Sequence, residues 1–409
     1  MPRAFDPFQK PNILEFFSSF QPAVEATSRM PALDSKGNRP LQMTFEEHLR
    51  ALVYFHLEEH NSARHLLQVL EEDDFARGAI APENGIKKSS FSEATNSRGL
   101  EQFMYVYQDL QAQASAILPK KNPELGDLVG IDGSLIDATL SMHWADYRKK
   151  SKKAKVHVGF DLNQAIPRKI YLTDGNGAER PFVSLILSES QTGVMDQGYQ
   201  SHKRFDQWQQ DGKRFMCRIK AGTKKTIIKQ NPIDSDSIVF FDAIVVLGTT
   251  EINQTQSPLR LVGYEVGRVK YWIATNRYDL TGEQIAAAYK LRWDIEKFFA
   301  WWKRHLKVYH LIARSEHGLM VQILAGLITY LLLAIYCHQH FNERVSIKRV
   351  RQLRIKIQNE LRAGGFYKPP DSNLKEQELQ TVNAMQVLNR ILLSINNYNE
   401  TICCSEKRF

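Results

Sequence analysis

The chain has only four cysteines in 409 residues, Cys217, Cys337, Cys403 and Cys404, without framework spacing. That excludes a small disulfide-stapled scaffold and leads to the expectation of a reducing compartment. There is no internal repeat and no low-complexity tract, which excludes a solenoid and a purely linker-like chain. The opening Met-Pro-Arg-Ala-Phe-Asp-Pro-Phe lacks the apolar core of a signal peptide, so a cytoplasmic protein is expected. Long apolar runs are missing with one exception, Leu319 to Cys337, close to the length that spans a bilayer. Gln322 and Thr329 interrupt it and no second span accompanies it, so it reads as a buried central helix. A membrane protein is the distant alternative, and none of the partners expected below is a membrane.

Acidic residues are outnumbered, 45 Asp and Glu against 54 Lys and Arg, for a formal net charge of +9 and a pI near 9.2. This excess suits a polyanionic partner without identifying one. Hydrophobic and charged fractions of 43% and 24% are those of a globular protein, and the length allows two to four domains.

Ala286 to Lys307 has no Gly or Pro and follows the turn signal Thr281-Gly-Glu-Gln, which predicts one continuous helix. On it Tyr289, Arg292, Glu296 and Lys303 fall at i, i+3, i+7 and i+14, within an arc of roughly 60° at helical spacing. One carboxylate is thus flanked by two cations and a phenol. Two readings stay open: a solvated face stitched by the Arg292 and Glu296 pair, or a polar stripe facing a site on a helix otherwise covered by Trp293, Phe298, Phe299, Trp301 and Trp302.

Residues 1–120 read as helical, with apolar residues at helical period over Phe45 to Leu57, Ser62 to Leu70 and Leu100 to Leu118. Between the last two, a short polar helix is expected with Ser89 or Ser90 as its cap and Lys87, Lys88 and Arg98 around it. It suits a DNA groove, or simply connects its neighbours. From Leu128 strands take over: Leu128 to Ile136 with Asp132 inside, Lys155 to Leu162, Arg168 to Leu172, Gly193 to Asp196 and Arg214 to Lys220, with a helix through Trp208. Strands interleaved with helices predict a mixed α/β sheet. Residues 221–278 show no helical period and read as a β-rich insertion. A basic amphipathic stretch, Val345 to Arg362, and a last helix through Asn397 close the chain.

A buried Asp in a strand is costly unless paired or bound to a metal. Asp132, Asp196 and Glu296 brought together would form an oxygen-only set able to hold two Mg²⁺, the arrangement that activates water and stabilises a leaving oxygen in phosphodiester cleavage. Each acid alone also reads as a turn cap or surface carboxylate. Rival acids at strand ends are Asp137, Asp161 and Asp174, the last within Asp174-Gly-Asn-Gly, a common turn. Arg148, Lys149, Lys150, Lys152, Lys153 and Lys155 form a basic run that is either a solvated face or a contact to a DNA backbone. Cys337, His338 and His340 lack the ligand-pair spacing of a zinc site.

The Tyr-x2-Arg-x3-Glu-x6-Lys signature, with Ile131-Asp132-Gly133-Ser134 and Met195-Asp196-Gln197-Gly198-Tyr199 before it, resembles bacterial insertion-sequence transposases of the IS-four family. The resemblance runs from about residue 127 to 310 and departs at Gln197, where Arg is frequent. It implies a ribonuclease H-like catalytic core (121–220 and 279–340) with an all-β insertion (221–278), flanked by helical N- and C-terminal regions. By it Asp132, Asp196 and Glu296 are the catalytic, metal-binding triad, using two Mg²⁺ with Mn²⁺ able to substitute. Tyr289, Arg292 and Lys303 would grip phosphates, and Trp272 would hold a flipped base or serve as a core strand residue. Region 1–120 would bind terminal inverted repeats, and 341–409 would help pair two subunits on two double-stranded DNA ends in a nucleoid-associated complex. The implied activity is Mg-dependent cleavage at transposon ends and strand transfer into target DNA; a non-catalytic DNA-binding descendant is the alternative.

Overall fold

The computed structural model describes residues 15–30, 33, 41–148 and 151–362. Lys149, Lys150, the expected last helix, the Cys403-Cys404 pair and most of the 341–409 region lie outside them.

Five helices come first: α1 (Glu15–Ser28), α2 (Phe45–Leu57), α3 (Ala63–Glu72), α4 (Lys88–Ser97) and α5 (Leu100–Ile117). Local signals set their ends. Thr44 and Glu47 form a reciprocal capping box at α2, and Ser62 caps α3 through the His65 amide. The short polar helix α4 exists, but neither Ser89 nor Ser90 is its cap; Lys87 stands at that position without a side-chain bond. Of these, α1, α2, α4 and α5 pack around α10 (Glu316–Phe341), the apolar run of the sequence. It alone among the described helices is long and apolar enough to cross a membrane, yet 94% of its most apolar stretch is buried inside the protein. Gln322, the residue that breaks the run, is a latch: its Nε2 donates to the Val308 and His310 carbonyls and its Oε1 accepts from the Ile312 amide at 3.0 Å. At Gly326 a methyl group would lie 3.2 Å from Trp302 Nε1 and from Val308, so glycine lets the neighbouring segment press onto α10.

The strands are β1 (Leu128–Asp137), β2 (Asp146–Tyr147), β3 (Ser151–Asp161), β4 (Ile166–Asp174), β5 (Thr192–Met195), β6 (Arg214–Arg218), β7 (Lys225–Gln230), β8 (Val239–Leu247), β9 (Leu259–Val266) and β10 (Val269–Thr275). They form one sheet in the order β2-β3-β1-β5-β6-β10-β9-β8-β7, with β4 also paired to β3. Three antiparallel strands followed by parallel β5 and β6 make the α/β, ribonuclease H-like core. The four strands of residues 221–278 continue this sheet, because β10 pairs with β6. Two helices, α6 (Phe182–Ile186) and α7 (His202–Gln210), cover one face of the central strands, over an apolar core that contains Ile131, Met195, Phe205, Trp208 and Cys217. The other face packs on α8 (Gly282–Lys290), α9 (Trp293–His305) and α10, in a core that includes Val194, Met216, Ile295, Phe298 and Trp302.

The single helix expected over residues 286–307 is thus two. Leu291, Arg292, Asp294 and Ile295 donate their amides to residues three back, so a tightened turn separates α8 from α9. The two halves bury different faces, α8 against β8 and β9 and α9 against β1, and the overwound turn accommodates both. At the far end, helix α11 (Ile347–Arg362) is anchored by Arg354, which meets Glu59 at 2.8 Å, and Glu59 also faces His305 and Lys307.

Candidate active site

Parallel pairing of β1 with β5 brings two acids together. The register ends at Gly130 opposite Val194, and Asp132 and Asp196 each lie two residues further on, at the same end of the sheet and on the same face. Each spends one oxygen locally. Asp132 Oδ1 accepts from the Gly133 amide at 2.8 Å, and Asp196 Oδ1 accepts from the Gly198 amide at 2.8 Å, capping the turn at residues 197–199. Burial pushes the Asp132 carboxyl up to about 7, with the charges of Asp196 and Glu179 adding to it and the Gly133 amide and Arg292 opposing. A carboxylate so placed is poised for a cation.

Helix α9 arrives on the same face. A methyl group on Gly130 would lie 3.6 Å from Ile295 Cβ, so α9 packs on the bare β1 backbone and carries Glu296, the next residue, to the site. Glu296 Oε1 accepts from Arg292 Nη1 at 2.7 Å, with the arginine side chain 8% exposed and the glutamate 38%. Among the described residues no three His, Cys, Asp or Glu side chains stand close enough to hold a metal ion. The geometry brings together Asp132 and Asp196, while Glu296 is held at the rim by Arg292.

Tyr289 is buried at the end of α8, its phenol pushed up to about 12 by burial. The Arg292 guanidinium lies 5.6 Å from its ring centre. Lys303, on α9, donates to the carbonyl of Leu135, on the strand that bears Asp132, at 2.6 Å. Burial lowers its ammonium below the usual lysine range, against the pull of Asp137 and Asp132.

Trp272 sits on the opposite face of the sheet, packed against the α6 and α7 core, with Phe240 and Phe241 at its edges and Lys225 Nζ 4.3 Å from its ring centre. The ring that shares the Tyr289 face is its neighbour Tyr271, which stacks on Tyr264 at 5.1 Å, lies 6.3 Å from Tyr289 and is covered by Arg218 at 4.8 Å. One position decides the face in a strand, and the sequence does not say which of the two rings points inward.

The rival acids have other occupations. Asp137 pairs with Lys153 at 2.6 Å, Asp161 with Arg168, and Asp174 accepts from the Asn176 amide within its turn. Lys152 pairs with Asp146 and Arg148 lies over the Tyr147 ring, so part of the basic run is neutralised or stacked within its own hairpin.

Glu179 and Arg180, unremarked in the sequence, border the site from the other face of the sheet. A methyl group on Gly133 would meet Glu179 Oε1 at 2.9 Å, and Glu179 faces Lys155 Nζ at 3.3 Å. Arg180 Nε and Nη2 both donate to the Gly198 carbonyl, at 3.1 and 3.0 Å, so a cation from another loop stands beside Gln197. Their signal was faint: an acid and a base before a Pro, after a turn.

The family described as Transposase DDE domain matches residues 125–332, half of the chain. The chain belongs to that family. It is 26% identical over 194 residues to a protein of Geobacillus stearothermophilus named "Probable transposase for insertion sequence element IS5377", covering 46% of this chain and 51% of that one. It is also 26% identical over 256 residues to a Synechocystis protein named "Putative transposase for insertion sequence element IS4SA", covering 60% of this chain and 70% of the relative. A transposase-named protein of Sinorhizobium fredii is 28% identical over 211 residues, 59% of its length. The match to the first of these therefore spans about half of that relative. As a DDE-domain transposase relative, the chain carries its two strand-borne acids, its signature helix and the β-rich strands between them within the matched region.

Proposed function

We propose that this protein is a DNA transposase that cleaves the ends of an insertion sequence and joins them to target DNA. The observation that carries the reading is the adjacency of Asp132 and Asp196 at the ends of two parallel strands, with the Arg292, Tyr289 and Lys303 side chains on the same side of the sheet. An oxygen-only pair with one carboxyl raised by burial, and further by the charges of Asp196 and Glu179, fits a hard divalent cation such as Mg²⁺. Asp132 and Asp196 would hold it, and Glu296 would join them in place of its Arg292 partner. When bound, two such ions lower the pKa of water and stabilise the leaving oxygen of an in-line phosphoryl transfer. Mn²⁺ would serve in their place.

The chain's own groups do the rest. Arg292, released from Glu296, offers a fork of donors to a phosphate of the transposon end, with the Tyr289 hydroxyl beside it. Lys303 braces β1 and adds positive charge near the scissile group. Tyr271 shares this face, where Tyr264 and Arg218 already cover it, and Trp272 would hold an unpaired base from the other face of the sheet. Arg148, Lys149, Lys150, Lys152 and Lys153 would touch duplex backbone, the terminal helices would bind inverted repeats and pair two copies on two ends, and the work would take place in the cytoplasm at the nucleoid.

Purified protein should cleave the terminal repeats that flank its gene in a Mg²⁺-dependent reaction, and Glu296→Gln should bind the same ends without cleaving them. Equal cleavage by both removes Glu296 from the reaction. Binding without cleavage by either points to a DNA-binding descendant.

A further inference from the structure

The face of the sheet opposite the signature helix carries a second cationic feature that the mechanism above does not use. A cavity of 360 Å³ opens between the turn that follows Asp196 and the end of β6. Arg180, Gln197, Gln200, Ser201, His202 and Lys220 line it, and no carboxylate is among its lining residues. The charges are uncommitted to acids. Arg180 bonds the Gly198 carbonyl, and among the described residues neither its side chain nor that of Lys220 is in an ion pair. The walls are held in place beforehand. Gln200 accepts from the Lys220 amide at 2.9 Å and donates to Thr223 at 3.0 Å, and His202 Nδ1 meets the Asn253 carbonyl. A donor-rich, acid-free cavity with two cations is chemistry that takes a phosphodiester.

Its position says which one. Tyr289, Arg292 and Lys303 stand on the α8 and α9 side of the sheet, whereas the cavity stands on the α7 side, bordering the core that contains Tyr199 and Phe205. Gly198 links the two sides: its amide donates to the Asp196 carboxylate and its carbonyl accepts from Arg180. Strand transfer requires a transposon end and a second phosphodiester at the same carboxylates, approaching from different directions. We propose that the Arg180–Lys220 cavity binds a backbone phosphate of the target duplex next to the bond that is attacked; this rests on the transposase reading.

Lys220 is the clean probe, because its ammonium is exposed and its amide, not its side chain, is what Gln200 holds. Lys220→Gln and Lys220→Glu are compared with the parent protein in end binding, end cleavage, and transfer of a pre-cleaved end into a supercoiled plasmid. Expected are binding and cleavage within about twofold of the parent, transfer reduced about fivefold by Gln and further by Glu, recovery at high plasmid concentration, and a salt slope lower by about one counterion. Unchanged transfer overturns the proposal, as does a parallel fall in cleavage, which would make the cavity part of the end-processing machinery. If the parent neither cleaves nor transfers, the transposase reading falls, and binding of a short duplex of unrelated sequence then decides the cavity alone: weaker binding by Lys220→Glu supports it and equal binding overturns it.

Discussion

Asp132→Asn should make the metal-free protein more stable, and only above acid pH. The Asp132 carboxyl rises from 3.8 to about 7, so the folded protein holds its proton more tightly than the unfolded chain does. Stability then falls as pH climbs from about 4 to about 7 and is level beyond. At 1.36 kcal/mol per pH unit the whole effect is about 4 kcal/mol, of which about 2–3 falls between pH 5 and pH 8. Asparagine is neutral throughout and escapes it. Urea unfolding of both proteins at about pH 5 and about pH 8 should show the variant gaining about 2–3 kcal/mol on the parent across that interval. Buried His48 and His56 titrate in the opposite sense over part of this range, but both proteins carry them, so they cancel in the difference. Adding Mg²⁺ at the higher pH should raise the parent's midpoint and leave the variant's nearly unmoved. A gap that is the same at both pH values refutes the claim that the fold holds Asp132 as an unrelieved charge.

Other consequences follow from packing and hydrogen bonding. Gln322→Leu leaves the Val308 and His310 carbonyls and the Ile312 amide without their partner, and should lower stability by about 2–4 kcal/mol in urea titration while leaving the far-ultraviolet spectrum unchanged. Gly159→Ala would set a methyl 2.4 Å from Ile186 Cγ2; a loss of about 1–3 kcal/mol is expected, and pairing it with Ile186→Ala should recover part of that loss. Burial lowers His48 to about 3 and His56 to about 4, so their contribution to stability is complete above pH 6.5 and is lost as pH falls toward 4. His48→Phe should soften that decline by about 2–3 kcal/mol at pH 4, read from acid unfolding followed by circular dichroism. Arg292→Lys keeps the charge and loses the fork; end binding should weaken about tenfold, and an unchanged affinity would exclude a bidentate phosphate contact.

Much of this protein was legible in its sequence because the signals were local. Capping residues and helical period placed α2, α3 and α5 within two residues, since a helix end answers to its own side chains. Alternation and turn residues found most of the strands for the same reason, though not β2 or β7, and a polar interruption of an apolar run correctly marked α10 as a core helix. Asp132, Asp196, Tyr289, Arg292, Glu296 and Lys303 were readable as a set because their order and spacing form a family signature. Only the tertiary structure could decide the rest. The break at Leu291 and Arg292 has no local cause; it arises because α8 and α9 bury different faces against different strands. Whether Tyr271 or Trp272 faces the signature helix depends on strand register, and the roles of Glu179 and Arg180 depend on a loop folding across β1 and β5. The pairing of Asp132 with Asp196 is itself a product of a parallel register, set by hydrogen bonds between segments more than sixty residues apart, which spacing along the chain does not encode.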